Sequence, residues 1–159
     1  MTVTAALRLR EALGNFVTGV TVITTRSKGG LHGLTANSFS SVSLSPPLVL
    51  FSLSRTADCF DAFEDTEFFA INVLRLDQEA LSSRFATKDI DKWTGVHWRP
   101  GLGDCPLLDG AIATFECRVT ARHEGGDHVI YVGEVLKFAQ HPEGAPLAFF
   151  RGRYTGVAG

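Results

Sequence analysis

The stretch Gly33–Thr56, GLTANSFSSVSLSPPLVLFSLSRT, decides how the rest of the chain is read. It sets small hydroxyl and amide residues (Thr35, Asn37, Ser38, Ser40, Ser41, Ser43, Ser45) before an apolar run from Leu48 to Leu53, and returns to small polar residues at Ser54 and Thr56. Hydroxyls and amides held beside rigid strands offer donors and acceptors to a ligand with many polar edges, whereas a plain connecting loop carries more charge. On composition alone a serine-rich connection between two strands is an equally good reading. Pro46 and Pro47 donate no ladder hydrogen bond, so they belong at the start of the strand and not in its middle. The strand from Leu48 to Leu53 is apolar and is expected to be central.

On the N-terminal side, Val20 to Thr25 is β-branched throughout and is followed by Lys28, Gly29 and Gly30 before Leu31 to Ala36, which predicts a hairpin. Ahead of it, Leu9, Leu13, Phe16 and Val17 recur at helical spacing within Ala5 to Val17, with Thr4 as N-cap and Gly19 as stop. Such an amphipathic helix lies on another surface.

On the C-terminal side, Ala57, Phe60 and Phe63 predict a short helix whose first turn is Thr56 to Cys59. Phe68 to Val73 follows as a strand. Asp77 to Phe85 reads as a helix capped by Asp77, with Ala80, Leu81 and Phe85 inward. Thr87 to Asp104 has no period and holds both tryptophans, so it reads as a long surface loop, of the kind that serves as a lid or a dimer contact. Ala111 to Ala121 alternates apolar and polar residues, and Val129 to Phe138 supplies its partner strand across a turn from Glu124 to Asp127, where Gly125 and Gly126 accept positive φ. A last strand falls around Leu147 to Arg151. About seven strands, mostly paired with neighbours, and two or three short peripheral helices favour a mainly β fold, a Greek-key or split β-barrel, in one domain over residues 1–159. No GxGxxG lies between a strand and a helix, which argues against a Rossmann site.

At 159 residues, with 45% hydrophobic and 20% charged residues, the chain is an ordinary globular domain able to bury a real core. A formal charge of −2 gives no positive field for a nucleic acid backbone, and no apolar run is long enough to span a bilayer. Cys59, Cys105 and Cys117 form an odd set without a CxxC pair, and the N-terminus lacks the apolar segment of a signal peptide. Reduced thiols and a cytoplasmic protein are expected. The five histidines show no HxH or HExxH, so a metal site has no support.

The runs FVTGVTVITT, GLTANSFSSVSLSPPLVLFSLSRT, SSRFA, LLDGAIATFECRV, EGGDHVIYVGEV and FFRGRY, taken in order, resemble the short-chain flavin reductase family, the reductase components of two-component flavin monooxygenases. The match covers almost the whole chain, and the order of the runs is far more specific than any one of them. The resemblance implies an FMN-binding split barrel and a homodimer. It also implies hydride transfer from NADH or NADPH to FMN or FAD, and a monooxygenase partner that receives the reduced flavin. On it, Thr35, Ala36, Asn37 and Ser38 line the flavin ring, with Ser52 nearby. Ser54, Arg55 and Thr56 hold the phosphate before a helix N-terminus, and Ser83, Arg84 and Phe85 form a second phosphate-side element. Gly126, Asp127 and His128 match the family's GDH motif, with His128 beside the nicotinamide, and Arg151 and Tyr154 reach the same cleft. Hydride transfer needs no protein acid or base, because the flavin and nicotinamide carry the chemistry, so His128 is a positioning or proton-supplying group. The rival reading is a flavin store or redox sensor on the same barrel, which has no need of a nicotinamide-facing turn. A hydrolase triad built on Asp127 and His128 lacks a GxSxG elbow. FMN against FAD, and NADH against NADPH, stay open.

Overall fold

The computed structural model describes residues 1–158; the domain expected over 1–159 ends on Gly159, which lies outside the described residues. Helix α1 (Val3–Leu13) is followed by strands β1 (Thr18–Gly19), β2 (Thr21–Ser27), β3 (Gly30–Ala36), β4 (Ser40–Leu44) and β5 (Pro47–Ser54). Then come α2 (Phe60–Glu64), β6 (Phe68–Val73), a 3-10 turn at Leu76–Gln78 and α3 (Glu79–Ala86). The chain ends with β7 (Trp98–Pro100), β8 (Pro106–Leu108), β9 (Ala113–Gly125), β10 (His128–Gln140), β11 (Ala148–Phe150) and β12 (Arg153–Thr155).

Seven strands form one antiparallel sheet in the order β3-β2-β6-β9-β10-β5-β4, with small sheets β1-β11-β12 and β7-β8 beside it. The molecule is therefore mostly β with a few short helices. Among the described residues the sheet is not closed by a further ladder: β3 and β4 are its edges. One bridge does cross the gap. Ser52 donates its backbone N–H to Ser38 Oγ at 2.9 Å, and Ser38 Oγ donates back to Ser52 O at 3.3 Å, so the segment leaving β3 is fastened to β5.

Inside the curl, Phe51 stacks on Tyr131 with centroids 5.1 Å apart, and Phe63 and Phe69 meet Phe51 edge-on. Aromatic pairs in these geometries contribute beyond their buried area. The β9–β10 ladder shifts register between Val132 and Gly133, and a Cβ at Gly133 would lie 2.4 Å from the Phe69 ring. Glycine is thus required there for Phe69 to seat. A second cluster packs Val20, Val22, Leu74, Phe85, Leu108 and Leu147 against Trp93 and Trp98.

Several expectations need correction. Strand β5 is not central; it lies between β10 and the edge strand β4, which the serine-rich composition had concealed. Its burial alternates, with Val49, Phe51 and Leu53 inward. Helix α1 is capped by Thr2, whose Oγ1 accepts from Ala5 N–H at 3.1 Å, and stops at Gly14, not at Gly19. Leu9, Leu13 and Phe16 are exposed on a single chain. Asp77 does not cap α3; it lies inside the 3-10 turn with its carboxylate paired to Arg75 at 2.6 Å, and Gln78 is the residue that precedes the helix. The segment 87–104 is no free lid, because Trp93 sits edge-on to Phe85 at 5.0 Å and Trp98 is paired into the β7–β8 ladder.

Candidate active site

The antiparallel register of β5 on β10 sets Ser54 opposite His128. The two-residue loop Gly126–Asp127 joins β9 to β10, with φ of +70° at Gly126, the pattern of a II′ turn with glycine first. Gly125 needs no positive φ. The chain leaving β5 is held against this turn from both backbone and side chain. Arg55 N–H donates to Asp127 O at 2.9 Å, and Arg55 Nε donates to Gly126 O at 3.2 Å. The Arg55 guanidinium also pairs with Glu124. Beside it, Ser54 Oγ and Thr56 Oγ1 are 3.0 Å apart, and Thr56 N–H donates to Ser54 Oγ at 3.2 Å.

His128 keeps a half-exposed ring whose Nδ1 lies 2.7 Å from Asp127 Oδ1. That bond, and the imidazole's charge when protonated, hold the Asp127 carboxyl below the usual range. The carboxylate is therefore ionised at neutral pH and accepts from Nδ1–H, which leaves Nε2 as the ring nitrogen free of that bond.

The other wall is built from β3, α3 and β12. Thr35, Ala36, Asn37, Ser82, Phe149 and Tyr154 line a cleft of about 190 Å³. Ser82 is fully buried; its carbonyl accepts from Thr35 Oγ1 at 2.6 Å, and its hydroxyl meets Tyr154 OH at 2.6 Å. One serine thus ties the end of β3 to the C-terminal hairpin. A larger concavity, about 720 Å³, lies elsewhere, between the β2–β3 turn and α2, and shares none of these residues.

The residues named from the sequence divide accordingly. Ser54, Arg55, Thr56, Gly126, Asp127 and His128 come together at one turn; Thr35, Ala36, Asn37 and Tyr154 line the neighbouring cleft. Ser38 and Ser52 form the bridge between these walls. Four of the expected residues are used otherwise. Phe85 is 1% exposed in the second cluster. Arg84 donates to the carbonyls of Asp91 and Thr94, at 3.2 and 2.6 Å, and so braces the 87–97 segment. Ser83 is exposed, with its carbonyl taken by Thr87 Oγ1 at 2.8 Å. Arg151 does not reach the Tyr154 cleft: it bonds Asn15 Oδ1 at 2.9 Å at the end of α1. Nor does a helix N-terminus face Thr56, because α2 begins only at Phe60 and lacks a side-chain cap.

Two residues were missed. Lys88 Nζ donates to Thr56 O at 2.8 Å, which brings a second cation to the turn from 32 residues away in sequence. Ser82 was passed over for Ser83, although the burial of a small polar residue on the inner side of α3 was the available signal.

The arrangement thus offers two kinds of group: the β3 end and Asn37 present donors and acceptors along one edge, and Ser54, Arg55, Thr56 and Lys88 gather cations with hydroxyls of the kind a phosphate takes.

Comparison with known proteins identifies the family. Residues 13–158 match the family model described as flavin reductase like domain. The FMN reductase (NADH) SmoA of Agrobacterium fabrum is 46% identical over 145 residues, covering 91% of this chain and 82% of that protein. The HsaB reductase subunit of a flavin-dependent monooxygenase from Rhodococcus jostii is 40% identical over 150 residues, covering 94% and 77%. The NADH:FAD oxidoreductase of Streptomyces globisporus, solved in complex with NAD and FAD fragments, superposes with a TM-score of 0.93 at 38% identity, covering 99% of this chain and 96% of that one.

Proposed function

Because the chain belongs to the flavin reductase like family, we propose that it is an NAD(P)H-dependent flavin reductase that reduces FMN or FAD and supplies reduced flavin to a partner monooxygenase. The observation that carries the reading is the pairing of Ser54 with His128 in the β5–β10 ladder, with Arg55 N–H bonded to Asp127 O at 2.9 Å. It makes an anion-handling turn and a Gly-Asp-His turn a single unit.

When bound, the flavin supplies the acceptor for hydride leaving a reduced nicotinamide, so that step asks no acid or base of the protein. The chain's residues bind and orient. Arg55 and Lys88 offer charge-assisted donors to a phosphate, and Ser54 and Thr56 offer hydroxyls. The β3 end presents backbone groups and Asn37 to the polar edge of a ring. Asp127 fixes the His128 ring by its Nδ1 bond, so that Nε2 serves to position the hydride donor or to pass a proton.

The curled seven-stranded sheet with its Ser38–Ser52 bridge is read as the split barrel of this family. A two-fold homodimer accounts for Leu13 and Phe16, which are 65% and 79% exposed on and beyond α1, since a cleft completed by a second subunit buries more of a ligand than the shallow one here. None of the described helices is long and apolar enough to cross a membrane. A cytoplasmic location is part of the proposal, since a supply of NAD(P)H is what the reaction needs.

The deciding experiment follows NADH and NADPH oxidation with FMN, FAD and riboflavin, together with sedimentation at micromolar concentration. Flavin-dependent oxidation of a reduced nicotinamide by a dimer is the expected result. Flavin binding without any such oxidation would make the protein a flavin carrier or sensor.

A further inference from the structure

The two cations of the phosphate turn are held differently. Lys88 rests on a neutral acceptor, the Thr56 carbonyl, at 2.8 Å. Arg55 is already paired with a carboxylate, that of Glu124, which stands on β9 just before the turn that leads to His128. The Glu124 side chain is 86% exposed and that of Arg55 38%, so the pair sits in water and can exchange.

We propose that Glu124 is an internal competitor for the flavin phosphate: its carboxylate occupies the guanidinium that the phosphate takes, and so sets how tightly a phosphorylated flavin is held and how readily it leaves. The inference rests on the reading of Arg55 as the phosphate contact. Carboxylate and phosphate present similar oxygens to the guanidinium fork, so Arg55 contributes only the difference between its two anionic partners. An exposed ion pair is worth a factor of about five or less. Repulsion between Glu124 and a phosphate at the same turn acts in the same direction and fades with salt. A reductase that hands its product to another protein gains from such a device, because it keeps a charged contact for recognition without a slow release.

The test is titration of FMN and of riboflavin, which lacks the phosphate, onto wild type, Glu124→Gln, Arg55→Ala and the double variant, followed by flavin fluorescence at low salt and at about 0.5 M salt, where screening reaches only a few Å. Glu124→Gln is expected to improve the FMN-to-riboflavin affinity ratio roughly two- to fivefold at low salt and less at high salt, and in the Arg55→Ala background to keep only the repulsion part, which disappears at high salt. An unchanged or lower ratio in Glu124→Gln, or a gain that is undiminished without Arg55 at high salt, overturns the proposal. If Arg55→Ala weakens FMN while Glu124→Gln has no effect, competition alone fails and the phosphate contact stands. If Arg55→Ala binds FMN like wild type, both fail.

Discussion

The protein uses the same small polar residues in two regions with opposite outcomes. Along β2 and β6 the polar side chains are buried and committed: Thr21 Oγ1 donates to Ala36 O at 2.7 Å, Thr24 Oγ1 to Pro106 O at 2.6 Å, and Asn72 Nδ2 to Val22 O at 3.1 Å. At the rim, Ser54, Arg55, Thr56 and His128 bond to one another or to the turn beside them, and water reaches them. Burying a polar group without a partner costs more than a formed bond gains, so the first region has no freedom. The second can trade partners with a ligand at little cost. Composition does not separate the two regions; burial does.

The sharpest way to break the comparison is to damage the committed region. Asn72 also accepts Leu108 N–H at 2.8 Å, so Asn72→Leu strands that buried N–H and removes the side-chain donor from the Val22 carbonyl, which keeps its place in the β2–β6 ladder. The first costs about 1–3 kcal/mol and the second about 1 kcal/mol, which predicts a loss of roughly 2–4 kcal/mol in chemical denaturation, with the flavin affinity of the folded fraction unchanged. A variant as stable as wild type would show that the β2–β6 network is not what holds that end of the sheet.

His128→Ala probes the other region and should do the reverse. Its ring is 43% exposed, so the melting temperature should hold while stopped-flow reduction of flavin by NADH slows by roughly ten- to a thousandfold, about 1.4–4 kcal/mol on the barrier. Equal rates in wild type and variant would move the positioning role to Tyr154, which lines the neighbouring cleft.

The thiols sharpen the contrast by pH. Burial pushes Cys59 up to about 11 and Cys117 up to about 12, and raises Cys105 as well. The folded chain therefore keeps its thiol protons while the unfolded chain releases them above its ordinary thiol pKa, near 9. Stability should fall as pH rises through that point, by up to about 1.4 kcal/mol per pH unit per thiol, and the native protein should resist alkylation at neutral pH. Rapid labelling of Cys117 in the folded state would contradict its complete burial.

How much of this was legible follows from sequence separation and period. The hairpin β2–β3 and the long hairpin β9–β10 were readable because β-branched runs and alternation flank glycine turns. The turn at His128 was readable because its motif is local. Strands β4, β7 and β12 were not; three to five residues carry too little pattern, and in β4 the serines mask it. The start of α1 slipped because Thr2 and Thr4 both suit an N-cap, while Gly14, the true stop, was overrun by Phe16 and Val17 at helical spacing. Lys88 and Ser82 were invisible for a different reason. Their roles exist only through partners at Thr56 and Tyr154, 32 and 72 residues away. Arg84 and Phe85 were expected at the site only through the resemblance, and in this chain Arg84 braces the 87–97 segment while Phe85 is buried in the second cluster.

The smallest expected effect lies where the two regions meet. Ser82 belongs to the committed set, fully buried with its carbonyl bonded to Thr35, but its hydroxyl partner, Tyr154, lines the cleft. Tyr154→Phe removes one hydroxyl and leaves the ring, which packs edge-on to Phe149 at 5.4 Å. Loss of a single bond of this kind costs about 1 kcal/mol, since the ring still fills its place. If Tyr154 only seals the fold, that loss should be seen in denaturation alone and kinetic constants should hold. If it also steadies the Thr35–Asn37 segment through Ser82, the KM for flavin should rise a few fold while kcat barely moves, because the bonds involved orient a binding edge and not the reacting atoms. Ser82→Ala should then reproduce the same KM shift from the other end of the bond, and the double variant should add little to either. Additive effects would mean that serine and tyrosine act separately and that the boundary between the regions runs between them.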